Sequence, residues 1–343
     1  MAKNKLTDFD PVADNNEDIA GISILGTAPP SNLDNALRAG WAILAKVNAG
    51  TDPVADTWTF GDPADLTKRV RLDAGNVTAG QTRVLASPDK NGTILVDSAA
   101  VFGNCRLVLD GSSLKLSPFN GNLLTINGAA YAVPSAGVTL AAPATNGTTY
   151  FIYAYMNSGT MTLEASTTGH ATDSTTGVEI KSGDATRTLV GMARTVSSAW
   201  VDSISQRFVL SYFNRQAKRL ERSFSADRTT TSTTFVEINS EIRTEFLAWG
   251  DEALWFSSCG AFSNSGTSNI FSRLALDGTS AWFAQVFSAA GTGFSVPLTM
   301  SAPTLPTEGY HYATILGKVE GATGTWFGTD SERRCFVFGA ARG

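Results

Sequence analysis

The sequence predicts a mainly β protein: a short N-terminal helix, then β modules, then a C-terminal jelly-roll-like β-sandwich. Three observations carry this reading. Turn dipeptides separate runs of alternating apolar and polar residues, at Asn91-Gly92, Asp110-Gly111, Asn120-Gly121, Asn127-Gly128, Asn146-Gly147 and Asp277-Gly278, and such pairs favour the positive φ angles of hairpin turns. Charged residues are only 17 % of the chain and hydrophobic residues 43 %, a balance that suits β-structure partly covered by other chains. Of the 33 aromatic residues, 18 lie within 224–343, so the thickest core is expected there.

The helix is read from "PPSNLDNALRAGWAILAKVNAG". Ser31 follows two prolines as the expected N-cap, and Asp34 complements the helix dipole in the first turn. Lys46 sits in the last turn, and Gly50 ends the helix. Leu33, Leu37, Leu44 and Val47 share one face with Gly40 among them, a short heptad seam expected to meet other chains or a partner. Two heptads do not hold chains together alone; they would seed an assembly that the rest of the chain completes. Residues 1–56 carry 8 Asp and Glu against 4 Lys and Arg, and residues 1–28 lack periodicity. This part is expected to be an attachment arm that orders against something else.

From residue 57 the pattern turns to β, and residues 57–120 are expected to form a shaft or connector. In "KRVRLDAGNVTAGQTRVLASPDKNGTI" (68–94), Val70 and Leu72 alternate with Arg69, Arg71 and Asp73. The glycines fall at turns rather than at phosphate-loop spacing. "CRLVLDGSSLKLS" reads as a hairpin about Asp110-Gly111, with Leu107 and Leu109 facing Leu114 and Leu116. Residues 121–223 are expected to be a middle β-domain, with a hairpin of Tyr150–Met156 and Met161–Ala165 turning at Asn157–Gly159. The basic run "NRQAKRLERS" (214–223) is expected to be a solvated linker or short helix. Residues 224–343 hold eight or nine short strand candidates, including 233–238, 251–259, 269–277, 280–287, 309–318 and 333–340.

Tests for chemistry find little. GxGxxG, GxxxxGK[ST], DxDxDG, HExxH and GxSxG are all absent, so no catalytic, cofactor or metal site is expected. His170 and His311 are the two histidines, each read as structural or exposed. Acid neighbours that glycan cleavage would need are Glu237, Glu241 and Glu245, Asp251 with Glu252, and Asp330 with Glu332. Trp249, Trp255, Trp282 and Trp326 are the candidate glycan contacts, because an exposed indole stacks on a sugar face. Cys105, Cys259 and Cys335 lack metal-ligand spacing, and a Cys259–Cys335 bridge is one candidate pairing. The net charge of −5 gives no general case for nucleic acid. No apolar run reaches the ~20 residues of a membrane span, and the first residues have no apolar core of a secretory signal.

Several stretches together resemble the fibre and appendage proteins of tailed bacteriophages. "NNEDIAGISILGTAPPSNLDNALRAGWAILAKVNAG" resembles their N-terminal attachment region. "DLTKRVRLDAGNVTAGQTRVLASPDKNGTI" resembles a β-module that recurs in them. "GTTYFIYAYMNSGTMTLEAS" with "RTLVGMARTVSSAWVDSISQRFVLSYFNR" resembles a central module of similar proteins, and "LDGTSAWF" with "EGYHYATILGKVEGATGTW" a small jelly-roll module at fibre tips. The resemblance implies an intertwined homotrimer in the virion, a tail or collar fibre. It would bind other virion proteins through 1–56 and present a distal domain to a host-surface glycan. Its motifs are structural, so no catalytic residue carries over. Two rivals stand beside it: a polysaccharide depolymerase, and a neck or collar decoration that binds no receptor.

Overall fold

A computed structural model describes residues 3–5, 8–10, 12, 15–49, 59–62, 64–71, 101–289 and 292–342. Among the described residues the chain is mainly β with one α-helix, and it divides into two compact units, 1–92 and 93–343.

In the first unit the helix spans Ser31–Asn48. Ser31, expected as the cap, is instead the first helical residue. Pro30 takes the cap position with no side-chain cap hydrogen bond, its fixed φ leading the chain into the helix. Asp34 pairs with Arg38 one turn on, at 3.1 Å. A small hairpin, Asp18–Ile19 with Ile22–Ser23, packs beside the helix. It turns through Ala20 and Gly21, both at positive φ. Asp18 accepts hydrogen bonds from the backbone of Lys3 and Gly21, each at 2.9 Å, and Asn32 donates to the Ser23 carbonyl at 3.2 Å. Strands Thr59–Asp62 and Asp65–Arg71 pair antiparallel, so "KRVR" is extended, as its alternation predicts. The remainder of the glycine-rich stretch, including Asn91-Gly92, lies outside the described residues.

In the second unit the alternating runs become hairpins. Cys105–Asp110 pairs with Ser113–Pro118, but Asp110 faces Ser113 in register. The turn is therefore Gly111-Ser112, one residue later than Asp-Gly chemistry suggests, with Gly111 at φ 62°. Asn127 and Gly128 do form the two-residue turn with both φ positive, joining Ile126 to Ala129. Thr149–Asn157 and Thr160–Ser166 pair about Ser158-Gly159. Leu107, Leu114 and Leu116 share one hydrophobic cluster with Ile152, Val190 and Val209. The 105–118 hairpin thus packs on the sheet built from 149–157 and 184–196.

Two sheets form a β-sandwich at the C-terminal end. One is ordered Ala217–Ser223, Phe336–Arg342, Leu254–Asn264, Gly324–Trp326, Arg228–Thr230, with Val296–Thr304 beside Leu254–Asn264. The other is ordered Asp202–Ser203, Gln206–Arg207, Thr244–Ala248, Gly309–Val319, Asn269–Leu276, Ala281–Ala289, with Val236–Glu237 beside Gly309–Val319. Phe246, Phe256, Phe262, Ile315, Trp326 and Val337 meet in the core between them. Each buried side chain of this size contributes about 1.5–3 kcal/mol. The basic run read as a linker is strand Ala217–Ser223, paired residue for residue with Phe336–Arg342. Only Leu220 of that strand enters the core. Its cations have partners: Lys218 reaches Asp202 at 2.9 Å and the Val209 carbonyl at 2.8 Å, and Arg222 donates to the Glu241 carbonyl at 2.9 Å.

Candidate functional site

On the helix, Ala36 and Ile43 are buried and Gly40 is half-buried, with Phe9, Gly40, Ile43 and Leu44 around a cavity of about 220 Å³. The predicted seam is rotated from this side. Leu33, Leu37 and Leu44 are exposed, and Trp41, 70 % exposed, completes their stripe. Val47 is half-buried on the other side of the stripe. A strict heptad count passes through Gly40 and misses Trp41. At 100° per residue, positions 33, 37, 41 and 44 cluster while 36, 40, 43 and 47 turn toward the hairpin.

The four tryptophans separate into two pairs. Trp326 is fully buried, stacked on Phe262 with centroids 6.2 Å apart, and its Nε1 donates to Ser272 at 3.2 Å. Trp249 is also buried, edge-on to Tyr212 and His170. Neither presents a face to a glycan, which corrects that expectation: both pack inside the unit. Trp255 and Trp282 are 56 % and 46 % exposed. Trp255 Nε1 donates to Ser301 Oγ at 2.5 Å, and Ser301 meets Ser257 at 2.7 Å, so this indole is held against the outer sheet face.

All three cysteines are free thiols. The candidate Cys259–Cys335 bridge is not formed. Cys259 lies opposite Phe336 in register, and strand alternation turns the preceding residue to the other face. Cys335 instead donates its thiol to the Ala261 carbonyl at 3.1 Å.

Of the acids singled out in the sequence, Glu332 is exposed and the rest are tied to partners. Arg243 makes a two-pronged pair with Glu237 at 2.7 and 2.6 Å, and Thr314 donates to the same carboxylate at 2.7 Å. Burial opposes ionisation of Glu237, but these bonds outweigh it and hold its carboxyl below the usual range. Arg228 pairs with Glu241, Tyr310 and Gln206 with Glu245, and Arg333 with Asp330. Arg215 holds Asp251 at 2.8 Å and Glu252 at 3.0 Å. Burial raises the Glu252 carboxyl, and its Oε2 has no hydrogen-bond partner among the described residues.

Sequence reasoning missed the cluster around His170. Strands His170–Thr172 and Glu179–Lys181 pair so that Glu179 reaches His170 Nδ1 at 2.5 Å. Glu308, just before strand Gly309–Val319, reaches Nε2 at 3.1 Å. The imidazole therefore clasps the middle sheet to the sandwich. Burial alone would lower its pKa, but the two carboxylates outweigh that and raise it. Tyr212, Arg215, Trp249 and Asp251 complete the walls of a cleft of about 310 Å³. The partners are 9 and 138 residues away in the chain, and no local pattern announces the second. Among the described residues no group of three His, Cys, Asp or Glu side chains is arranged to hold a metal. No described helix is long and apolar enough to cross a membrane.

No protein-family model matches the chain, and no curated protein matches it. Among solved structures, one of the infectious bursal disease virus Gx strain is similar at 11 % identity and a TM-score of 0.24, over 71 % of this chain and 78 % of that one. The VP2 subviral particle of infectious bursal disease virus is similar at 12 % identity and a TM-score of 0.24, over 58 % of each chain. At such TM-scores the likeness carries no argument about fold or function.

Proposed function

We propose that this chain is a structural subunit of a virion appendage, of the tailed-phage fibre or collar kind that its sequence resembles. It assembles as a homotrimer about its N-terminal helix, attaches to other virion proteins through residues 1–56, and displays its β-body toward a host-surface glycan. The observation that carries this reading is the exposed stripe Leu33, Leu37, Trp41 and Leu44 on a helix whose adjoining face, Ala36 and Ile43, is already buried. Covering each such side chain is worth about 1.5–3 kcal/mol, so a threefold contact gives a driving force that a lone helix lacks. All but Glu332 of the acids that a cleavage mechanism would draw on are held by Arg, Tyr, Gln and Thr partners, which favours display over catalysis.

Light scattering of the full chain at micromolar concentration is expected to give three times the monomer mass. Leu37→Asp combined with Trp41→Asp is expected to give monomers with an unchanged β circular-dichroism signal. A monomeric parent chain would overturn the trimeric reading.

A further inference from the structure

The outward face of the second sandwich sheet carries an alternation of cations and aromatic rings. Arg273 lies between two rings, its guanidinium carbon 3.6 Å from the centroid of Phe235 and 4.1 Å from that of Trp282. Lys318 sits over Phe271 at 4.3 Å and near Phe235 at 5.4 Å. Phe271 stacks on Phe287 at 5.5 Å. Strand register explains the row: Phe271 faces Phe287 on one side and Lys318 on the other, and Arg273 faces Gln285. Arg273 donates to Gln285 Oε1 at 2.7 Å. Among the described residues no carboxylate forms an ion pair with Arg273 or Lys318. The nearby acids are engaged elsewhere, Glu237 by Arg243 and Thr314, and Glu320 by Asn269 at 2.7 Å. Burial without a counter-charge lowers the pKa of Arg273.

Two uncompensated cations held rigidly on ring faces keep a net attraction for an anion. Trp282 and Phe287, 46 % and 62 % exposed, flank them on one strand. They are roughly 16 Å apart at the usual rise per residue. Flat apolar rings interleaved with sparse positive charge fit a chain of pyranose rings that carries acid groups. They fit a nucleic-acid backbone less well, since its dense charge would meet a protein of net charge −5. We propose that the face formed by Trp282, Arg273, Phe235, Lys318, Phe271 and Phe287 is a binding strip for an anionic polysaccharide. The sugar faces stack on Trp282 and Phe287, and the acid groups pair with Arg273 and Lys318. This deepens the reading that the β-body is the displayed end.

Titration of the full chain with polygalacturonate, dextran sulfate and neutral dextran at low salt tests it, with a single-stranded oligonucleotide as a fourth arm. The expected result is binding of at least one of the two acidic polymers, weakened by salt, with none of neutral dextran. Carboxylate and sulfate recognition are told apart by which polymer binds. The double variant Arg273→Gln, Lys318→Gln should weaken binding at least about tenfold, and Trp282→Ala should weaken it with the salt dependence retained. Arg273→Lys, which keeps the charge and the strand, should bind more tightly than the glutamine variant. Binding of neither acidic polymer, equal binding of dextran, parent-like binding by the double variant, or tighter binding of the oligonucleotide would each overturn the proposal. Light scattering of the same sample separates the two readings. A trimer that binds no polyanion sinks the strip alone, and a monomer that binds one sinks the trimer alone.

Discussion

At the residue scale, burial decides more than residue type. The three cysteines illustrate it. Burial pushes the Cys105 and Cys335 thiols up to about 12 and raises that of Cys259, so little reactive thiolate forms near neutrality. A thiol reagent at pH 8 is expected to label Cys259 slowly in the native protein, and all three only in denaturant. Two rapidly labelled native thiols, or a cross-linked band without reductant, would contradict this placement. The tryptophans make the same point in another way. Trp255 and Trp326 stand in similar alternating runs, and only the position of the second sheet makes one a surface ring and the other a core ring. A sequence shows that a strand has two faces without showing which one is covered.

At the element scale, alternation and turn chemistry were legible and pairing partners were not. The hairpins at 105–118 and 149–166 follow from strand-forming runs around turn residues, and that at 123–132 from its Asn127-Gly128 turn. The strand Ala217–Ser223 did not, because a run with one core-facing leucine and three cations reads as solvated until Phe336–Arg342 lies beside it. The helix was legible in extent but not in rotation, since the hairpin at 18–23 and Phe9 chose its buried side. Strand Gly309–Val319 shows how closely elements fit. A Cβ at Gly317 would fall inside the Trp326 ring and against Ile238. Gly317→Ala is therefore expected to destabilise the sandwich by about 1–3 kcal/mol, seen as a lower denaturant midpoint. An unchanged midpoint would show that Trp326 has room the packing denies it.

At the scale of the whole molecule, the His170 clasp joins the middle sheet to the sandwich through Glu179 and Glu308. The groups facing the ring are these two carboxylates, the Phe151 and Trp249 rings, and Arg215 in the cleft wall. The folded pKa of His170 is raised, so its protonated form binds more tightly in the folded state. The stabilisation is fully present below the unfolded value near 6.5 and is lost as pH rises through the higher folded value. Denaturant midpoints should therefore fall between pH 6 and pH 9 in the parent chain by more than in His170→Gln. Parallel profiles for the two proteins would remove the clasp from the account. The cleft was invisible in the sequence because Glu308 and His170 meet only once two sheets are stacked.

By itself the sequence determined the fold class and several of the hairpins, but not the longest described strand, Asp184–Val196. Side-chain period, turn dipeptides and aromatic density are local properties, and each acts on the chain before any distant contact forms. Tertiary structure alone decided which face of each strand meets solvent, which side of the helix is spare, and which charges find partners. Those outcomes depend on long-range pairing. Arg243 and Arg273 are alike as residues, yet one lies opposite a carboxylate and the other between two rings, because the sheet register put Glu237 beside one strand and Phe235 over the next.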